Sequence, residues 1–373
     1  MKIMNKFLTK SNSYNYYKNK YEEISNKNKA LEKEIKSLKK EIKSLKLENE
    51  SLEDENKNLN KKINFSLKDT FHKLYGPKGA YCDRNYFNFY LDDDFEDNLK
   101  NITKHLDSKN KQYYKYLILR SCFVHMAVQD NLYTENELEQ QRHFSEFKDK
   151  HIYKDKIGEF KFEGGYNLHP FVDLGLDGDC LEFLKEKDII DAGAFTGDTS
   201  LPLSKITSRN VYAFEPFQES YDLLIKNIEN NNISNIVPIK KSLGDINGER
   251  TLYIGNNVQG ITSNENLRPW NEQFVVEEIT IDKFVEENNL DVGFIIVDVE
   301  GAELNLLKGA INTIKTQKPI LTISIYHQIT DFTNIIPWIA NLDLGYEFEI
   351  INEGPWSLLA DKSVQCVVRE NLE

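Results

Sequence analysis

From Asp188 onward the chain alternates short apolar runs with segments of helical period, a pattern with few solutions other than an open α/β sheet. Ile189–Ile190 is a short buried strand, followed by a glycine turn and a helix starting near Asp198 and Thr199. Val211–Phe214 is the second strand, and the helix after it carries Tyr221, Leu224, Ile225 and Ile228 on one face. Ile236–Ile239, Phe294–Val297 and Ile320–Ile325 continue the series. Helices follow the last two, one with Leu304, Leu307, Ile311 and Ile314 at helical spacing and one over 332–341. Such strands imply a parallel sheet covered on both faces. The final runs, Glu347–Ile351 and Val364–Val368, have no helix between them, so that pair must be antiparallel. The expected fold is therefore a Rossmann-like α/β sheet, parallel with an antiparallel last strand.

Between the third strand and Phe294 lies an insertion. Arg250–Ile254 and Val275–Ile281 are its expected arms, with the polar stretch Gly255–Pro269 between them. A long loop beside the ligand edge of a sheet usually serves as a lid or recognition element.

The chemistry-bearing residues fall where strands end. In the run 191–199, Asp191 precedes Gly193 by two residues, and Gly197 leads into the helix. The glycines let backbone approach a ligand closely, and a helix N-terminus offers free N–H groups. The spacing is not G-x-G-x-x-G, so a dinucleotide pyrophosphate is not indicated. Asp191 suits an ammonium at the amino-acid end of a ligand. Glu215, 22 residues after Gly193, ends the second strand, where it is placed to accept both hydroxyls of a ribose. Pro216 holds Glu215 extended. Ser242 follows the third strand, at the expected adenine edge; a simple turn is the competing reading. Asp298 ends the fourth strand, and with Glu300 it is a candidate to orient an acceptor, remove its proton or hold a divalent metal. Glu303 reads as a residue that favours the following helix's N-terminus. His327, ending the fifth strand, is either a general base or a structural histidine.

Together, the runs 191–199, 213–216, 296–310 and 324–327 resemble the FkbM-type methyltransferases. The resemblance covers about 165–373 and rests on the ordered set of motifs. It implies a class I methyltransferase fold, S-adenosylmethionine as donor, and O-methylation of a sugar, glycoconjugate or other small hydroxyl-bearing acceptor. It also assigns cofactor roles to Asp191, Gly193, Gly197 and Glu215, and an active-site position to Asp298. The alternatives are a coiled-coil scaffold with a non-catalytic methyltransferase-like binding domain, and an NAD-dependent enzyme, against which the glycine spacing argues.

The N-terminal part is different in kind. After a flexible start over 1–20, residues 21–66 carry a seven-residue repeat. Ile24, Leu31, Leu38, Leu45, Leu52 and Leu59 hold one seam position; Tyr21, Asn28, Ile35, Ile42, Asn49, Asn56 and Ile63 hold the other. Leu at d with Ile or Asn at a favours a parallel two-stranded coiled coil, hence a homodimer. Residues 67–163 read as a helical lead-in, with helices over Glu96–Leu106 and Lys111–Val128, and the methyltransferase domain follows over 164–373.

Charge bears on the partners. Residues 1–66 have 16 lysines against 10 acidic residues, a balance of +6, and the rest of the chain carries −19. A globular part so acidic repels a phosphate backbone, so no nucleic-acid partner is expected. No run approaches a membrane span. Met1 to Lys20 has no continuous apolar stretch of a signal peptide, and Cys82, Cys122, Cys180 and Cys366 read as scattered thiols of a reducing compartment. A cytoplasmic location is expected. Replacing Leu38 and Leu45 together with Asp should convert the dimer to a monomer in sedimentation equilibrium; an unchanged dimer mass would remove the coiled-coil seam as its cause.

Overall fold

The computed structural model describes residues 95–123, 134–135, 138, 142, 152–154, 157–164, 175–255, 261–267, 269–352 and 362–372. The heptad segment 21–66 and the start of the lead-in lie outside the described residues.

In chain order the described elements are α1 Phe95–Thr103, α2 Ser108–Phe123, β1 Ile152–Lys154, β2 Glu159–Lys161, α3 Gly178–Leu184, β3 Asp188–Ala192, α4 Ser200–Leu203, β4 Val211–Phe214, α5 Gln218–Asn230 and β5 Ile236–Ile239. They continue with β6 Ser242–Leu243, β7 Gly248–Ile254, β8 Glu272–Ile279, α6 Ile281–Asn288, β9 Val292–Val297, α7 Glu303–Gly309 and α8 Ile311–Gln317. The last are β10 Ile320–Ser324, α9 Ile329–Ala340, β11 Glu347–Asn352 and β12 Lys362–Val367.

Seven strands form the main sheet in the order β11-β12-β10-β9-β3-β4-β5. It is mixed but mostly parallel. Only β12 runs against its neighbours, pairing antiparallel with both β10 and β11. The last strand thus inserts between its two predecessors. Every residue of β3, β9 and β10 is buried, as strands covered on both faces require.

Alternation along the strands sorts the core into two layers. Ile190, Ile295, Val297, Leu321 and Ile323 face one layer with Leu306, Leu307, Phe332 and Ile335. Ile189, Phe294, Ile296, Val211 and Ala213 face the other with Leu184, Leu201 and Leu224. Strand β3 is longer than its apolar pair predicts. It begins at Asp188, whose buried carboxylate meets Arg209 at 2.7 Å and accepts the Asp291 N–H, so polar residues can occupy its ends.

The lead-in packs into both layers. Tyr114 stacks on Phe332 at 4.2 Å and donates its hydroxyl to the Phe332 carbonyl at 2.8 Å, while Asn110 accepts the Ile350 N–H. On the other face Phe160 and Phe162 join the second core, and Asn227 and Asn231 accept the N–H groups of Glu163 and Lys161. The hairpin β1–β2 lies in a region expected to be helical; its three-residue strands are too short to leave a period in the sequence.

The insertion folds as a second, three-stranded sheet in the order β6-β8-β7. Its arms pair antiparallel from Gly248↔Glu278 to Ile254↔Glu272, close to the expected boundaries. Helix α7 closes against it at Gly309, where a Cβ would lie 1.9 Å from the Gly244 carbonyl oxygen. In a helix interior Gly→Ala ordinarily gains about 1 kcal/mol. Here backbone blocks the methyl group, so Gly309→Ala should instead cost about 1–3 kcal/mol in chemical denaturation. A stabilised variant would show that the helix can move away.

Candidate active site

The strand order reverses at β3: β4 and β5 lie on one side, β9 and β10 on the other. Open α/β sheets bind ligands outside the carboxyl ends of the strands at such a switch point. Here the turns after β3 and β9 touch. Gly193 sits at φ +91°, and a Cβ on it would lie 2.0 Å from the Asp298 carbonyl oxygen. The Asp298 N–H donates to the Ala192 carbonyl, and the Gly193 and Ala194 N–H groups donate to the Phe214 carbonyl. Only glycine fits at 193. Gly197 also has positive φ, +90°, and its missing Cβ makes room for Leu201 and Leu224 at 2.7 and 2.8 Å, so packing against α5 accounts for it.

Gly193, Glu215, Ser242, Asp298 and Glu300 line one cavity together with Phe195, Lys241, Leu252, Ile261, Ser263 and Glu278. Asp191, Gly197 and His327 are not among its lining residues. Glu215 is 7% exposed, so it is no surface acid. One carboxylate oxygen accepts the Phe195 N–H at 3.0 Å and the other the Phe217 N–H at 2.8 Å. Phe195 adopts φ +44°, which turns its N–H toward Glu215 in a conformation that non-glycine residues rarely hold. Burial pushes the Glu215 carboxyl up to about 8, against the pull of those two N–H groups. Asp191 lies behind the cavity and accepts the Ser200 hydroxyl at 2.5 Å. Burial raises it to about 7; the Ser200 bond opposes the rise, and Asp198 and Asp298 add to it.

Ser242 is buried in β6, at the edge of the insertion's sheet, and its hydroxyl reaches Glu278 at 3.4 Å. Glu278 binds Arg250 through both oxygens, at 2.7 and 2.8 Å, and forms part of the cavity wall. Lys241 is held by Glu277 at 2.5 Å. The polar stretch beyond β7 also reaches the cavity: Asn264 donates to Gln328, which donates to the Gly301 carbonyl, and Leu267 lies over Gly301. These wall residues carry no sequence signal, because they come from the insertion and face the cavity only once its sheet has folded back.

At the other end of the cavity stands a cluster centred on Glu303, which is fully buried. Its Oε1 accepts the Val299 and Gly301 N–H groups at 3.2 Å each and lies 2.8 Å from His327 Nδ1. It therefore does more than favour a helix start: it ties the turn after β9 to the end of β10. His327 Nε2 lies 3.4 Å from both Asp298 Oδ1 and Glu300 Oε2. Burial would lower the His327 pKa, but Glu300, Glu303 and Asp298 outweigh it and raise the value to about 10. The three carboxylates thus favour the protonated form of the imidazole. Burial works against the Glu303 charge, yet His327 and the backbone donors hold its pKa low. Burial and the Glu303 charge push Asp331, packed behind it, up to about 8.

Residues 191–348 match the methyltransferase FkbM domain family. The hexuronic acid methyltransferase AglP of Haloferax volcanii is 28% identical over 142 residues, covering 36% of this chain and 55% of that protein. The chain therefore spans about half the length of this curated relative. Among solved structures, the methyltransferase FkbM from Methylobacillus flagellatus KT is similar at 19% identity and a TM-score of 0.46, covering 75% of this chain and 62% of that one. An rRNA methylase from Streptococcus thermophilus is similar at 14% identity and a TM-score of 0.34, covering 50% and 90% respectively.

The raised carboxyls make stability depend on pH. Asp191 and Glu215 have folded pKa values above their unfolded ones, so their contribution is full below about pH 4 and is lost as pH rises through about 7 and about 8. The ligand-free protein should therefore melt at a lower temperature at about pH 8.5 than at about pH 6. Glu215→Gln should narrow that gap in a thermal-unfolding series; an unaltered gap would mean that Glu215 is ionised throughout.

Proposed function

We propose, from the FkbM-type methyltransferase domain that spans residues 191–348, that this protein transfers a methyl group from S-adenosylmethionine to a hydroxyl oxygen of a sugar, glycoconjugate or other small acceptor. The observation that carries the reading is the convergence of Gly193, Glu215 and Asp298 on one cavity at the switch point of the sheet. The name of the Haloferax volcanii relative, a hexuronic acid methyltransferase, supports a sugar acceptor.

The residues present fit the donor. Gly193 lines the cavity, and its missing Cβ lets the turns after β3 and β9 meet there. Glu215 presents a buried carboxylate at the cavity wall, and each of its oxygens keeps a lone pair beyond the one used by Phe195 or Phe217, enough for two ribose hydroxyls. Asp191, set back and paired with Ser200, contributes negative charge to the donor's ammonium end. When bound, S-adenosylmethionine supplies an electrophilic methyl carbon on a sulfonium, and displacement by the acceptor oxygen leaves the neutral thioether.

The protein's own part is alignment and proton removal. Asp298 and Glu300 are the cavity's acids at the end of the central strand, and one of them takes the proton that the acceptor hydroxyl loses. His327, 3.4 Å from both carboxylates, keeps them in position. Alignment supplies much of the rate, because methyl transfer depends on proximity more than on acid–base strength. The segment 261–267, tied to the turn after β9 through Gln328, serves as the wall against which the acceptor is held. Among the described residues no helix is long and apolar enough to cross a membrane. The reading is of a cytoplasmic homodimer, supported by the leucine heptads of residues 21–66.

Calorimetric titration with S-adenosylhomocysteine tests the donor assignment. One site per chain is expected, and Glu215→Ala should weaken binding by about 10- to 100-fold, as loss of a charged hydrogen-bond acceptor does, with an unchanged circular dichroism spectrum. Near-normal affinity in that variant would sink the ribose role of Glu215.

A further inference from the structure

The geometry points to a divalent-cation site formed by Asp298, Glu300 and His327, with Glu303 as the carboxylate that orients the imidazole. Binding of the cation stands on the side-chain geometry alone. Its use, to hold an acceptor presenting two adjacent oxygens, rests on the methyl-transfer reading.

His327 is the central observation. Its Nδ1 lies 2.8 Å from Glu303 Oε1, and Glu303 is itself fixed by the Val299 and Gly301 N–H groups. The ring can therefore neither turn nor slide, and Nε2 is directed at the space between Asp298 and Glu300. That atom is buried and has no hydrogen-bond partner. A buried polar atom left so costs about 1–3 kcal/mol and calls for a ligand to explain it. A carboxylate behind one ring nitrogen, with the other nitrogen facing a cavity, is the arrangement in which metal-binding histidines are held.

Donor spacing agrees. Nε2 lies 3.4 Å from Asp298 Oδ1 and 3.4 Å from Glu300 Oε2. Two donors each about 2.1 Å from one ion stand roughly 3.0 to 3.5 Å apart. One ligand atom each from Asp298, Glu303 and His327 also falls within 4.8 Å of the others. Glu300 reaches the cluster only because its backbone takes φ +54°, a strained choice followed at once by Gly301 at φ +94°. Strain of this kind persists where the side chain has a task.

The surrounding charge favours a cation as well. Asp298, Glu300 and Glu303 face one imidazole, and Asp331 packs behind Glu303. Tyr326 adds a hydroxyl 3.5 Å from Asp298 Oδ1. One nitrogen and two carboxylate donors suit manganese, iron(II) or zinc better than calcium, which prefers oxygen alone. Three protein ligands leave coordination positions open toward the cavity that Asp298 and Glu300 line. Two adjacent oxygens, as in a vicinal diol or a hydroxyl beside a carboxylate, would fill them, and the ion would lower the pKa of the bound hydroxyl.

The test titrates manganese chloride into full-length protein previously stripped with chelator, following free Mn2+ by its paramagnetic resonance signal. One site per chain with a dissociation constant of roughly micromolar order is expected. Glu300→Gln and His327→Gln should each weaken it by about tenfold or more, and Glu303→Gln by about 10- to 100-fold. If a buried variant melts abnormally, Glu300→Gln, at the cavity wall, carries the test. Absence of Mn2+ binding to the wild-type protein, or equal binding in Glu300→Gln, overturns the site. A parallel titration with S-adenosylhomocysteine separates the two readings. Loss of Mn2+ binding alone removes the cation site, whereas loss of nucleoside binding alone removes the donor assignment and leaves the cation site standing.

Discussion

Two turns in van der Waals contact hold the ligand edge together. The backbone after β3 passes so close to the backbone after β9 that a single methyl group at residue 193 would overlap the Asp298 carbonyl oxygen. The donation from Asp298 N–H to Ala192 carries the strand pairing one residue past the sheet, up to that contact. Beside that contact Glu215, Asp298 and Glu300 line one cavity, with Asp191 set behind it.

That arrangement concentrates negative charge where water is scarce. Burial raises the pKa values of Glu215 and Asp191, while Glu303 gathers donors: two backbone N–H groups and an imidazole. The difference has a simple origin. Glu303 starts a helix directly after a turn, where backbone N–H groups lack helical partners, so its carboxylate finds donors within reach. Glu215 ends a strand and finds one donor per oxygen; Asp191 finds a hydroxyl.

The lead-in and the insertion finish the domain from opposite directions. Tyr114 and Asn110 fasten α2 to α9 and β11, far from the cavity, and act on stability. The insertion builds a wall of the cavity itself, and the buried Arg250–Glu278 pair locks its sheet beside Ser242.

Much of this was legible in the residue order. The strands at Val211–Phe214 and Ile236–Ile239 have the bounds that their apolar runs indicate, and the reversed last strand follows from the missing crossover helix. Glu215 and Asp298 were identifiable because strand ends in an open sheet are where ligands bind. Glu303 was not, since a glutamate at a helix start has an ordinary local reason to be there, and only β10 beside β9 brings His327 to it. Nor was Glu278, one of several acids in a strand of an insertion. Local periodicity and turn chemistry act over a few residues, and so the sequence by itself determined the elements, their order and the acids at their ends. Which acids share a cavity, which keep a proton and which faces an imidazole depend on burial and on distances between residues far apart in the chain, and those the tertiary structure alone decided.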